Sequence, residues 1–479
     1  MRKYRNKNVK SKKSINLFDK FNTSIFSLIS FGLILIWILS PLIMVIFMPF
    51  IGREACLFSM YLILLTIGFL GIFLSLFYFS KKVNDYGWKN ILKKYLPVFL
   101  FILLLFWCVV TTFTSVDVST SIFGTTYRKE GLLTYFSYFS IFCLALLLKK
   151  DSYKKILFNI LLFVQIILSI IALMNNEITF LLTGSLDPYS AIFSQFNHYG
   201  YYLMFGILVS LFMFFNTKGK LKVLYVLIYS LLLYTLVIND TFGCILSVSF
   251  SLILLFIYFR KHWKKIFLII IITLALFLGT SREDRNVIRS NFYKMVADTK
   301  TTFEAVAEKN EEKNNKMNNK KNNSVNKGQI EKKEEEVEES PEEKYKFFLV
   351  GNARFFLWKY GIDFIADKPF LGYGIEALEP YYLSRNMQQD RPHNILIQFA
   401  LFTGIPGMLL YIVFIFVIFF RAICKLKEFD DLSVEIFIMC ICYLISSMVG
   451  NSMFYTSPYF MIFLGMLTSK TFSLKKNDV

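Results

Sequence analysis

His393 is the residue best placed for acid–base chemistry. It follows Pro392 and stands where the apolar run 395–420 begins. The positive end of a helix starting there disfavours the imidazolium form and leaves a neutral ring that can accept a proton. A histidine in that position could equally cap the helix and touch lipid headgroups. Other polar side chains gather at the ends of apolar runs: Arg128 before 131–148, Asn197 and His198 before 199–215, Asn239 and Asp240 between 221–238 and 242–259, and Asn394 beside His393. The runs themselves carry almost no Asp, Glu, Lys or Arg in their central turns. A carrier that moves a charged headgroup through the bilayer would be expected to line its path with such residues, so the chemistry is expected at a membrane–water boundary.

The elements that must position these residues follow from composition. Of 479 residues, 55% are apolar and 18% charged, with 54 Phe and 27 Tyr. This excludes a soluble globular chain, a disordered chain and a disulfide scaffold. The seven cysteines form no spaced set in a long loop, so neither a disulfide framework nor a zinc knuckle is readable. Apolar runs at 24–50, 56–80, 95–113, 131–148, 156–174, 199–215, 221–238, 242–259, 266–279, 395–420, 432–448 and 454–468 predict an all-α, polytopic integral membrane protein with about twelve transmembrane helices.

Residues 1–23 form a basic N-terminal segment before the first run, which is too long and lacks the small-residue cleavage site of a signal peptide. With the N-terminus inside, the cytoplasmic segments hold thirty of the 53 Lys and Arg. Both termini are then cytoplasmic. The formal excess of +19 faces anionic lipid, and a pI of 9.4 requires no nucleic-acid partner. The external loop over 280–393 carries 20 basic and 20 acidic residues. Its 308–344 stretch is a Glu/Lys/Asn insertion expected to be disordered or weakly helical. After it, 353–367 has helical periodicity stopped by Lys368 and Pro369.

From His393 the sequence reads HNILIQFALFTGIPG: His393, Asn394, nine residues, Gly404, two residues, Gly407. Upstream, RFFLWKYGIDFIADKPFLGYG places Arg354 and Trp358 four apart on one helical face, ahead of Pro369, Gly372 and Gly374. Together these resemble the signature of the bacterial O-antigen ligase and O-antigen polymerase superfamily, best over 225–410. TYRKEGLLTY around Arg128 and SAIFSQFNHYGYYL around Asn197 and His198 are similar to further family stretches. One departure is clear. Where the family commonly has a Ser-Arg-Gly turn, this chain has Asn239, Asp240, Thr241, Phe242 and Gly243, so an arginine used for the donor is absent and its task falls to Arg128, Arg282 or Arg285. The two glycines are expected to let another helix approach closely.

The resemblance implies a bacterial cytoplasmic-membrane glycosyltransferase with its active site outside, transferring glycan from undecaprenyl diphosphate to a hydroxyl on a saccharide or lipid-linked acceptor. No metal or cofactor is implied. Fixed guanidinium groups can neutralise a diphosphate leaving group, because their fork matches phosphate oxygens. On that reading Arg354 clamps the diphosphate with Arg128 as a second contact, and His393 takes the acceptor proton in an inverting attack. Asn394 and Trp358 orient the sugar, with Asn197 and His198 further binding residues. The competing function class is a lipid-linked oligosaccharide flippase or another polytopic transporter.

Overall fold

The structure, a computed structural model, describes residues 2–174, 180, 182, 190–193, 195–281, 354–385, 390–450 and 453–472, and side chains outside 2–23 and 354–356. The insertion expected at 308–344 and the candidate arginines Arg282 and Arg285 lie outside the described residues. All regular structure among those described is helical: α1 (Arg2–Ile51), α2 (Arg53–Tyr86), α3 (Trp88–Lys94), α4 (Leu96–Phe113), α5 (Val118–Phe123), α6 (Leu132–Leu146), α7 (Asp151–Leu173), α8 (Phe196–Asn216), α9 (Leu221–Asn239), α10 (Phe242–Tyr258), α11 (Trp263–Gly279), α12 (Arg354–Asp367), α13 (Glu379–Leu383), α14 (Ile395–Cys424), α15 (Asp431–Ser447) and α16 (Ser457–Thr471). Each of the twelve apolar runs falls on one of these helices. Eight helices among the described residues are long and apolar enough to cross a bilayer, which establishes an all-α polytopic membrane protein.

Helices α6, α8 and α16 form the centre, with α2 and α1 against α6, α7 and α9 against α8, and α4 against α14. The surroundings of the centre turn Phe, Leu and Ile outward, as in Phe69, Phe77, Leu227 and Phe416. In lipid that outward face costs nothing, so packing between helices rests on shape and on internally satisfied backbone groups. Helix α11 buries only Ile269 and lies at the periphery. The bundle has two unlike ends. One gathers the lysine-rich turns at 81–94, 149–155, 218–222, 260–265 and 421–427; the other holds Arg128, the start of α8, the end of α9 and the 390–394 segment. Lys154 pairs with Asp151 at 3.1 Å near the lysine-rich end. Glu435, not anticipated from the sequence, is buried one turn into α15 near the same end.

Helix α14 is broken, and the break organises the opposite end. Asn394 caps its start, its Oδ1 accepting from the Leu396 and Ile397 amides at 3.0 and 3.2 Å. Nine residues later Gly404 leaves helical geometry with φ 70° and ψ 175°, a region essentially confined to glycine. The freed backbone groups are taken up by the segment that follows α12. Ile405 N donates to Pro369 O at 2.7 Å, while Tyr373 N and Gly374 N donate to Leu401 O and Phe402 O at 2.8 and 3.1 Å. Trp107 of α4 adds its Nε1 to Thr403 O at 2.7 Å. What approaches Gly404 is therefore loop backbone rather than the second helix expected: a Cβ there would lie 2.1 Å from Phe370 O, and one on Gly372 would lie 2.5 Å from Leu401 O. A helix does approach at Gly407, where Trp107 is the neighbour.

Gly404→Ala should combine this overlap with about 1–3 kcal/mol of backbone strain and lower the melting temperature of the detergent-solubilised protein sharply. Gly219→Ala, at φ 72° with open space around it, should lower it far less. Heated size-exclusion profiles of the two variants provide the comparison.

Candidate active site

Five non-glycine residues among those described have positive φ: Lys129, Ala191, Asp240, Glu376 and His393. All five lie at the end opposite the lysine-rich turns. Such conformations cost of order 1–3 kcal/mol each and persist only where the surroundings over-determine them. At Lys129, Glu376 and His393 the surroundings include buried charges.

Arg128, in the turn between α5 and α6, is buried and meets Asp390 through both arms of its fork, Nε to Oδ2 at 2.7 Å and Nη2 to Oδ1 at 2.8 Å. Its remaining nitrogen, Nη1, faces Met453 Sδ at 3.3 Å. Arg391 turns the other way, donating to Glu130 Oε2 at 2.6 Å and pairing with Glu376 Oε1. Glu130 also accepts from the Tyr138 hydroxyl. The second oxygen of Glu376 accepts from Thr125 N at 2.8 Å and Thr125 Oγ1 at 3.0 Å. Burial opposes the charge on Asp390, but the Arg128 guanidinium more than offsets it and holds the carboxyl below the usual range. Burial pushes Arg391 down, with Glu130 opposing.

His393 sits two residues beyond Arg391 with φ 52° and is half-buried. Its turn is held from both sides. The Trp358 indole donates to Pro392 O at 2.8 Å, and Asn394 Nδ2 donates to Met448 O at 3.1 Å. The polar atoms of Trp358 and Asn394 are thus engaged with backbone that shapes the His393 turn. His198 lies inside the first turn of α8, which starts at Phe196, rather than ahead of the helix; it is fully buried, with Nδ1 2.6 Å from Tyr455 Oη. It is within electrostatic reach of Arg128, Arg391 and His393, and Asp390 is within reach of His393. Half-buried Asn197 precedes it. The structure therefore brings His393, Arg128, His198, Trp358 and Asn394 to one end. Arg354 opens α12 one turn before Trp358; its side chain lies outside the described residues.

At the departure from the Ser-Arg-Gly pattern, Asn239 Nδ2 and Thr241 Oγ1 donate to Phe196 O at 2.9 and 3.4 Å. Gly200 permits this closeness, since a Cβ there would meet Thr241 at 2.6 Å. The substituted turn ties α9 and α10 to the start of α8, beneath His198. Asp390, Arg391, Glu130, Glu376 and Tyr455 were not among the residues expected from the sequence. Two of them stand in DRPHN directly before His393 and a third in YRKEG beside Arg128, so adjacency to the recognised motifs was the available signal.

Residues 227–412, 186 of the 479, match the family model described as O-antigen ligase. These residues form an O-antigen ligase domain. No curated protein matches the chain. With its apolar helices, the protein is a polytopic membrane protein that carries a domain similar to O-antigen ligases. The O-antigen ligase domain runs from α9 into α14 and contains Trp358, Asp390, Arg391, His393 and Gly404, whereas Arg128 and Glu130, from the α5–α6 turn, and His198, from α8, lie outside it.

Arg391→Ala leaves Glu130 and Glu376 buried without their cation, and breaking such a pair costs about 3–5 kcal/mol; the folded yield in membranes should fall steeply. Asp390 has its folded value depressed, so its contribution is present above about pH 4, the ordinary aspartate value, and is lost as pH falls through the lowered value. Melting temperatures measured from pH 7 down to pH 3 should drop less for Asp390→Asn than for the unsubstituted protein, because the variant starts without that contribution.

Proposed function

We propose that the protein is a metal-independent, inverting glycosyltransferase of the bacterial cytoplasmic membrane, acting on its external face in cell-surface polysaccharide synthesis. The donor is a glycan on undecaprenyl diphosphate and the acceptor a hydroxyl on a saccharide or lipid-linked glycan. The orientation is supported by charge: the lysine-rich turns take the inside, which puts both termini inside and the Arg128–His393 end outside.

The observation that carries the reading is the interlock at Gly404. It joins the stretch after α12 to the helix that His393 and Asn394 open, so Trp358 and His393 meet in one turn. Arg354 shares the Trp358 face of α12 by spacing and is one turn, about 6 Å, away along the axis. The paired charges beside it are Arg128 and Arg391 against Asp390, Glu130 and Glu376. That set carries no surplus positive charge for a diphosphate, and both arms of the Arg128 fork are occupied. Arg354 is therefore assigned the diphosphate, with Arg128 contributing through Nη1.

His393 accepts the proton of the acceptor hydroxyl as its oxygen bonds to the anomeric carbon, from the face opposite the leaving group. The bond to the diphosphate breaks, undecaprenyl diphosphate leaves with its electron pair, and configuration inverts. Trp358 and Asn394 hold the His393 turn and border the sugar, and His198 with Asn197 completes the inner wall. Ligase and polymerase share this chemistry. A transporter is less well supported, because the charged groups concentrate at the bundle's ends.

His393→Ala and Arg354→Ala should each reduce transfer at least ~100-fold, the lower range for loss of a positioned acid–base group and of a charge-stabilising donor respectively, with protein levels unchanged. Glycan analysed from cells should be short but attached for a polymerase, or full-length and retained on the lipid carrier for a ligase. Normal glycan in both variants would refute the assignment.

A further inference from the structure

The lysine-rich end contains a second built feature. Lys82 at the end of α2, Lys94 at the end of α3 and Lys149 between α6 and α7 converge there. Lys82 Nζ lies 5.8 Å from the Tyr78 ring centre and 5.2 Å from that of Tyr86, and Lys94 Nζ lies 5.5 Å from that of Tyr95. Tyr78 and Tyr95 are buried beneath them and packed through Phe79. The backbone is fixed too: Arg421 of α14 donates to the carbonyls of Lys94 and Lys93, each at 2.9 Å, and Lys149 N donates to Ser27 Oγ of α1 at 3.1 Å.

Among the described residues these cations outnumber the carboxylates left to them. Asp85 meets Lys82 at 3.5 Å. Asp151 is taken by Lys154 and Lys470, and Asp430 by Lys470. Among the described residues neither Lys94 nor Lys149 has a carboxylate within ion-pair distance. The Lys149 side chain is exposed at this end, and desolvation together with the cations Lys94, Lys154 and Lys82 pushes its ammonium down, so like charges face it.

We propose that Lys82, Lys94 and Lys149 form a binding site for the phosphate headgroup of an anionic phospholipid of the inner leaflet. A basic pocket between helices at that boundary suits such a headgroup. A lipid is favoured over a free anion because the helices that carry Lys82 and Lys94 also expose Phe77, Trp88 and Leu92, apolar surface that an acyl chain would cover. The bound lipid would tie α1, at Ser27, to the ends of α2, α3, α6 and α14, far from the His393 end.

The test uses the full-length protein in detergent, titrated with phosphatidylglycerol, phosphatidylcholine or inorganic phosphate while its melting temperature is followed. Phosphatidylglycerol should stabilise the native protein, and the variant Lys82→Gln/Lys94→Gln/Lys149→Gln should bind it on the order of a hundredfold more weakly, at about fivefold per lysine. A control, Lys218→Gln/Lys220→Gln/Lys222→Gln, changes net charge equally at the same end and should bind as the native protein does. Single substitutions replace the triple variant if it does not fold, each expected to lose about fivefold. The proposal is overturned if inorganic phosphate or phosphatidylcholine stabilises equally well, if the control loses as much as the triple variant, or if the variants bind phosphatidylglycerol undiminished.

Discussion

The break in α14 at Gly404 is the constraint on which the rest of the His393 end depends. A helix interrupted within a membrane bundle exposes amides and carbonyls that lipid cannot satisfy. The chain meets this need with Pro369, Tyr373 and Gly374, whose backbone groups occupy the positions that the interrupted helix leaves open. Because the substitute strand is the continuation of α12, the same contacts fix that helix relative to the half-helix Ile395–Thr403. His393 is thereby placed through backbone hydrogen bonds rather than through a flexible loop.

The buried charges follow from that placement. Once Asp390 and Arg391 are drawn to the bundle's edge beside His393, each requires a partner, because an unpaired buried charge is far more costly than a paired one. The partners come from the α5–α6 turn and from Glu376, so the O-antigen ligase domain and the preceding helices are joined through ion pairs. These pairs pack around the positive-φ backbone of Lys129, Glu376 and His393.

Much of this was legible in the sequence, and the rest was not for identifiable reasons. The apolar runs located the helices because length and hydropathy decide what crosses a bilayer, and the stop at Lys368–Pro369 marked the end of α12. The nine residues between Asn394 and Gly404 were visible as a spacing, but their meaning was not: a glycine pair reads as close helix packing, and only the φ of Gly404 reveals a break. The pairings of Asp390 with Arg128, Arg391 with Glu130 and Glu376 with Thr125 could not be read from sequence because the partners stand some 250 residues apart. Asn394 and Trp358 read as sugar-facing residues, and nothing local shows that they also donate to Met448 O and Pro392 O.

The central claim is that position 393 sits in an outward-facing donor site. The most direct measurement is labelling of His393→Cys with a membrane-impermeant maleimide, in a background where the exposed Cys424 is replaced by Ser. The account predicts labelling from outside intact cells, and protection in membrane vesicles of known orientation when undecaprenyl-diphosphate glycan is added. Labelling only after the inner face is opened, or a rate unchanged by the donor, would contradict it.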